Sequence, residues 1–149
     1  MTTIVYRDGV MASDTGAAFG GVFHPWARKM VRGRGGDLYG GAGNAAEVTA
    51  FFAWVEGGCV GDIPVPRLLE NDGSSFIILI ARPDPGSPVE LYTANGTERY
   101  HAPCMAIGSG AEVAFGALYA GADAETAVRA AIAHSGGGFS EVKAIRFDP

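Results

Sequence analysis

The sequence predicts an α+β domain in which two antiparallel sheets pack face to face with helices outside them. Three observations lead there. The apolar segments run in the order strands, one helix, strands, two helices, strand. Neighbouring strands are mostly joined by turn signals such as Asp8-Gly9 and Asn95-Gly96, not by crossover helices. Glycine supplies 23 of the 149 residues without periodicity, punctuating apolar segments as a fold of many short elements requires. One domain spanning 1–149 is expected, long enough to bury a core.

Thr2 to Tyr6 is β-branched and aromatic and reads as a strand, returning through Asp8-Gly9 into Val10 to Asp14. A small-residue stretch, Thr15 to Gly21, leads past Pro25 to a strand at Lys29-Met30-Val31. Gly33, Gly35 and Gly36 form a loop before a short strand, Leu38 to Ala42. Asn44 is placed as a helix N-cap with Glu47 in capping-box position, and Val48, Phe51, Phe52 and Val55 recur at helical spacing up to Gly57-Gly58. Cys59 to Gly73 reads as irregular. Strands follow at Phe76 to Ala81, Val89 to Ala94, Thr97 to Tyr100 and Met105 to Ile107. Gly108-Ser109-Gly110 opens a helix to about Ala120, Asp123 caps another reaching His134, and Ser140 to Phe147 closes as a strand.

Composition narrows the function. The formal net charge is −5, which argues against a nucleic-acid coat or a basic membrane-surface binder. The longest apolar run, Phe76 to Ala81, is too short to span a bilayer. No signal-peptide pattern is visible, so a cytoplasmic location is expected. Cys59 and Cys104 make no CxxC pair, and His24, His101 and His134 never join them in zinc spacing.

Several residues invite a chemical reading. Gly41-Ala42-Gly43-Asn44-Ala45-Ala46 matches GxGxxA between a strand and a helix, although a tightly packed turn selects the same small residues. Arg28, Lys29, Arg32 and Arg34 could be an anion site or a solvated hairpin. The N-terminus says more. Removing Met1 would expose Thr2, whose hydroxyl and free amine would share one residue, and the amine is a ready general base for that hydroxyl.

Thr2-Thr3-Ile4-Val5, Ala12-Ser13-Asp14, Arg28-Lys29-Met30-Val31-Arg32, Gly40-Gly41-Ala42-Gly43 and Ile107-Gly108-Ser109-Gly110 occur in the order and spacing of a known family. The chain resembles the proteasome β-subunits, in particular the HslV peptidases and their shorter relatives. The resemblance implies the N-terminal nucleophile hydrolase fold, a four-layer αββα sandwich. It implies a threonine-type peptidase with Thr2 as nucleophile, Lys29 lowering the hydroxyl pKa, Asp14 holding Lys29, Ser109 relaying protons and the Gly40 N–H facing the oxyanion. No cofactor is implied. A structural cation occurs in some relatives, with no ligands assignable here.

The family's D-x-x-[ST]-G segment reads Ile132-Ala133-His134-Ser135-Gly136-Gly137 in this chain, where Ser135-Gly136 match and the aspartate does not. The partners implied are peptide or unfolded-protein substrates, a homo-oligomeric ring and an ATPase unfoldase, with neither nucleic acid nor membrane. The other readings are a catalytically silent ring or scaffold and a small-molecule amidase of the same fold. Phe51, Phe52 and Trp54 cannot all face one sheet. Trp54 or Phe51 is therefore expected to pack on a neighbouring subunit, unless the Cys59 to Gly73 loop folds back over it.

Overall fold

The computed structural model describes residues 1–136 and 139–148. Eleven strands and three helices follow in the chain order β1 (Ile4–Arg7), β2 (Val10–Asp14), β3 (Ala17–Phe19), β4 (Val22–His24), β5 (Met30–Arg32), β6 (Leu38–Gly43), α1 (Ala45–Glu56), β7 (Phe76–Ala81), β8 (Val89–Thr93), β9 (Gly96–Tyr100), β10 (Cys104–Ile107), α2 (Ala111–Tyr119), α3 (Ala124–His134) and β11 (Val142–Arg146), counted among the described residues. The fold is α+β. One sheet has the order β10-β1-β2-β11 and the other β5-β6-β7-β8-β9, and every pairing is antiparallel. That pairing removes the parallel βαβ unit a dinucleotide fingerprint needs, so the GxGxxA match is a packing motif.

Three apolar clusters show why the chain alternates as it does. Ile4, Met11, Met30, Leu38, Leu79 and Ile107 meet between the two sheets. The other face of β5 to β7 packs Val31, Tyr39, Phe76 and Ile78 against Val48, Phe51, Phe52 and Val55 of α1. Val5, Ala12 and Ala106 pack instead on Ala114, Leu118, Ala127 and Val128 of α2 and α3. Period-2 alternation in β6 sends Leu38 and Ala42 to the inter-sheet cluster and Tyr39 towards α1. Its two central glycines follow the same rule. A Cβ on Gly40 would lie 2.5 Å from Ile4 Cγ2, and one on Gly41 2.5 Å from Val48 Cγ1, so both sheet faces approach too closely for a side chain.

The caps agree with the sequence with one exception. Asn44 accepts from the Glu47 N–H and Asp123 from the Thr126 N–H. The Glu47 carboxylate does not complete a capping box. It takes Arg67 and Ser75 instead, tying α1 to the segment before β7. The Cys59 to Gly73 segment does fold back: Trp54 Nε1–H donates to Gly61 O at 3.3 Å and Tyr92 Oη–H to Pro64 O at 3.1 Å. Phe51 is fully buried within this chain, which corrects its expected role as an anchor for a neighbour, and Trp54 is half-buried. The β3–β4 hairpin was not foreseen. Its alanines and glycines carry little strand propensity, and it joins neither sheet.

Candidate active site

The site forms where β1 begins. Asp14 lies one step beyond the last β1–β2 pair, Ile4↔Ser13, and its N–H donates to Thr3 O at 3.2 Å. Its carboxylate is fully buried and fully used. Oδ1 accepts the Thr3 N–H at 2.8 Å, while Oδ2 accepts the Gly16 N–H at 3.2 Å and Lys29 Nζ–H at 2.8 Å. A buried carboxylate needs such partners, and here they fix the start of the chain as well as the lysine.

Lys29 enters from the residue before β5. Besides Asp14, its ammonium donates to Gly16 O at 2.6 Å, Met1 O at 2.9 Å and Thr2 Oγ1 at 3.3 Å. Four oxygens thus compete for three ammonium protons. Losing the Met1 carbonyl would match donors to acceptors and leave one proton for the Thr2 hydroxyl. A cation in contact with Oγ1 favours the alkoxide and so activates the oxygen as a nucleophile.

Gly108-Ser109-Gly110 wraps the other side of Thr2. The Thr2 N–H donates to Ser109 Oγ at 3.2 Å, and the Gly110 N–H donates to Thr2 O at 3.2 Å. Gly108 has φ +98°, and a Cβ there would overlap the Thr2 carbonyl; a Cβ on Gly110 would overlap Thr3 Oγ1. The serine is flanked by glycine because the chain start lies against both backbones. Ser109 is no helix cap, since Gly110 holds the N-cap position of α2 and no side chain caps it.

Thr2, Asp14, Lys29 and Ser109 are therefore brought together. Gly40 is not. Gly41 N–H donates to Lys29 O at 2.9 Å and Asn44 N–H to Ser75 O at 2.8 Å. Antiparallel alternation then turns the even-numbered N–H groups of β6 towards β7. Gly40 N–H faces Leu79 inside the ladder and cannot reach an oxyanion. The same alternation turns the Gly43 N–H to the β5 side, where no hydrogen bond outside the ladders engages it among the described residues. Gly43 lines a cavity of about 520 Å³ with Met1, Thr2, Lys29, Gly41 and Val48, and Gly40 does not. Sequence reading missed Gly43 because strand parity cannot be set before the register is known.

The basic cluster disperses. Arg28 makes a bidentate pair with Glu56, which raises its pKa through hydrogen bonding, and Arg32 holds the carbonyls of Arg146 and Asp148. Of the four, Lys29 reaches Thr2, and Arg28, held by Glu56, lines the same cavity. Of the Ile132 to Gly137 segment, Gly137 lies outside the described residues. Among the described residues no group of three His, Cys, Asp or Glu side chains is placed to hold a metal, and no helix is long and apolar enough to cross a membrane.

Solved structures share this arrangement of elements. BPH of Thiobacillus denitrificans, a bacterial proteasome homologue, superposes with a TM-score of 0.62 at 21% identity, over 99% of this chain and 98% of that one. The fold is that of the proteasome-like peptidases. BPH in complex with epoxomicin, an inhibitor, matches equally, with a TM-score of 0.62 at 21% identity over 99% of both chains. HslV from Trypanosoma brucei gives a TM-score of 0.59 at 18% identity, over 97% of this chain and 98% of that one. No family model and no curated protein matches the sequence. The proteasome-like fold expected from five short motifs is thus carried by structure.

Proposed function

We propose that the chain is a threonine-type peptidase working in a self-compartmentalising homo-oligomeric ring, built on the four-layer αββα sandwich of the N-terminal nucleophile hydrolases. The observation that supports it most is the Lys29 ammonium, held by Asp14 and in contact with Thr2 Oγ1. In the active form Met1 is removed and the Thr2 nitrogen is an amine. The amine accepts the hydroxyl proton as Oγ1 attacks the peptide carbonyl carbon, and the negative charge on the carbonyl oxygen develops beside the Gly43 N–H. The amine, with Ser109 as relay, returns the proton to the leaving nitrogen. Water then cleaves the acyl ester by the same path and regenerates Thr2. No cofactor enters these steps.

The substrate class is peptide or unfolded protein, the location is cytoplasmic, and an ATPase unfoldase is the natural feeder of such a ring. A second reading, a silent scaffold ring, draws on one contact. While Met1 is present the Thr2 nitrogen is an amide without basicity, and Lys29 donates to the Met1 carbonyl. Hydrolysis of fluorogenic peptides by protein beginning at Thr2, abolished by Thr2→Ala, supports the peptidase. Correctly processed protein that assembles into rings and cleaves none of a broad peptide set supports the scaffold.

A further inference from the structure

We propose that the β3–β4 hairpin is a specificity shelf on which Phe19 and His24, backed by Trp26, bind an apolar and preferably aromatic side chain of the peptide near its scissile bond. The inference rests on the peptidase reading and names the substrate feature that the site selects. The hairpin pairs with neither sheet, turns through Gly20 (φ +52°) and Gly21 (φ +79°), and has the register Ala17↔His24 and Phe19↔Val22. That register puts Ala17, Phe19, Val22 and His24 on one face. Phe19 and His24 line the same cavity as Thr2 and Lys29. Two-stranded ribbons are marginal alone, so rings left in water on such a ribbon call for an explanation. Phe19 is 66% and Trp26 82% exposed.

The rings are nonetheless fixed in place. His24 stacks on Trp26 at 5.4 Å with an interplanar angle of 19°, and Phe19 meets His24 edge-on at 5.9 Å. The Trp26 backbone N–H donates to His24 Nδ1 at 3.2 Å, which fixes the orientation of the imidazole ring. On the opposite face Phe23, itself 63% exposed, meets Phe139 with ring centroids 5.2 Å apart. The neighbouring cations are already engaged, Arg28 by Glu56 and Lys29 by Asp14. A preset aromatic surface continuous with the nucleophile's cavity fits an apolar side chain better than a charged one.

Trp26 and Trp54 are the only tryptophans in the chain, so Trp54→Phe leaves Trp26 as the reporter. In that background, with Thr2→Ala to prevent turnover, blocked peptides of one length carrying a single Phe or a single Asp walked along the sequence are titrated. The expected result is a saturable blue shift of Trp26 emission with a Phe peptide, binding about tenfold tighter than its Asp partner, and loss of that preference in Phe19→Ser. Equal affinity for Phe and Asp peptides, or no response, overturns the shelf. Emission already blue without peptide and unchanged by it assigns the surface to a neighbouring copy and also overturns it. Hydrolysis by the Thr2 protein is scored separately. Phe-selective binding without cleavage contradicts the peptidase reading alone, and cleavage indifferent to Phe or Asp contradicts the shelf alone.

Discussion

Lys29 and Asp14 form a buried ion pair at 2.8 Å, with side chains 9% and 0% exposed. Oδ1 of the same carboxylate holds the Thr3 N–H, so one acid orders both the lysine and the residue after the nucleophile. Asp14→Ala is expected to leave an uncompensated buried ammonium and cost about 3–5 kcal/mol of stability. Urea unfolding of the variant against the parent protein measures it. An unchanged midpoint would show that the pair does not organise the site.

Gly40 and Gly43 separate packing from chemistry. Gly40→Ala places a methyl against Ile4 and Met11 and is expected to cost about 1–3 kcal/mol of stability while kcat of the folded fraction is kept. Gly43→Ala strains a residue at φ +119° whose Cβ would lie 2.5 Å from Ser75 O, and it displaces the donor proposed for the oxyanion. A fall of about 10²–10³ in kcat is expected there. Steady-state kinetics on both variants, corrected for folded fraction, decide it; the reverse pattern would return the oxyanion role to Gly40.

Ser109→Ala removes the hydroxyl that accepts the Thr2 N–H and no other bond of that side chain among the described residues. Stability is expected to stay close to that of the parent. Turnover is expected to fall about 10²-fold, the lower end for a lost proton relay. Full turnover in Ser109→Ala would reduce the serine to a spacer between two glycines.

Acid should loosen the first and third helices. Arg67 and then Ser75 hold the Glu47 carboxyl below its ordinary value of 4.5, and the Thr126 N–H holds Asp123 below 3.8. Carboxyls whose folded pKa is depressed stabilise the fold above their unfolded values. That contribution is lost as pH falls below those values and through the folded ones. The urea midpoint should therefore be flat from about pH 7 to about pH 5 and drop below about pH 4.5, and Glu47→Gln should flatten part of the drop. A midpoint that stays flat below about pH 4.5 would contradict these contacts.

The sequence carried the helices and most strands because their signals are local. Asn44 and Asp123 announce two N-caps, and Val48, Phe51, Phe52 and Val55 mark the buried face of α1. Thr2, Asp14, Lys29 and Ser109 were legible through motif order, although 107 residues separate Thr2 from Ser109 and only tertiary structure joins them. Two things were hidden. The donor on β6 depends on whether 40 or 43 faces β5, a parity fixed by pairing with Lys29 rather than by any residue preference. The β3–β4 hairpin lies in alanine and glycine, where propensity is low and only Phe19, Val22 and Phe23 hint at a ribbon. Glu47 shows the opposite failure: a capping-box spacing was present, and a tertiary partner, Arg67, took the carboxylate.

Everything at this site turns on Thr2 acting as the nucleophile once Met1 is gone. The direct measurement is intact mass and peptide mapping of the protein after incubation with a peptide epoxyketone, whose two electrophilic carbons suit a hydroxyl and an amine on one residue. The expected result is a chain lacking Met1, one inhibitor added per subunit, the adduct on Thr2, and no adduct in Thr2→Ala. A chain that retains Met1 and stays unlabelled, or an adduct that persists in Thr2→Ala, would contradict it.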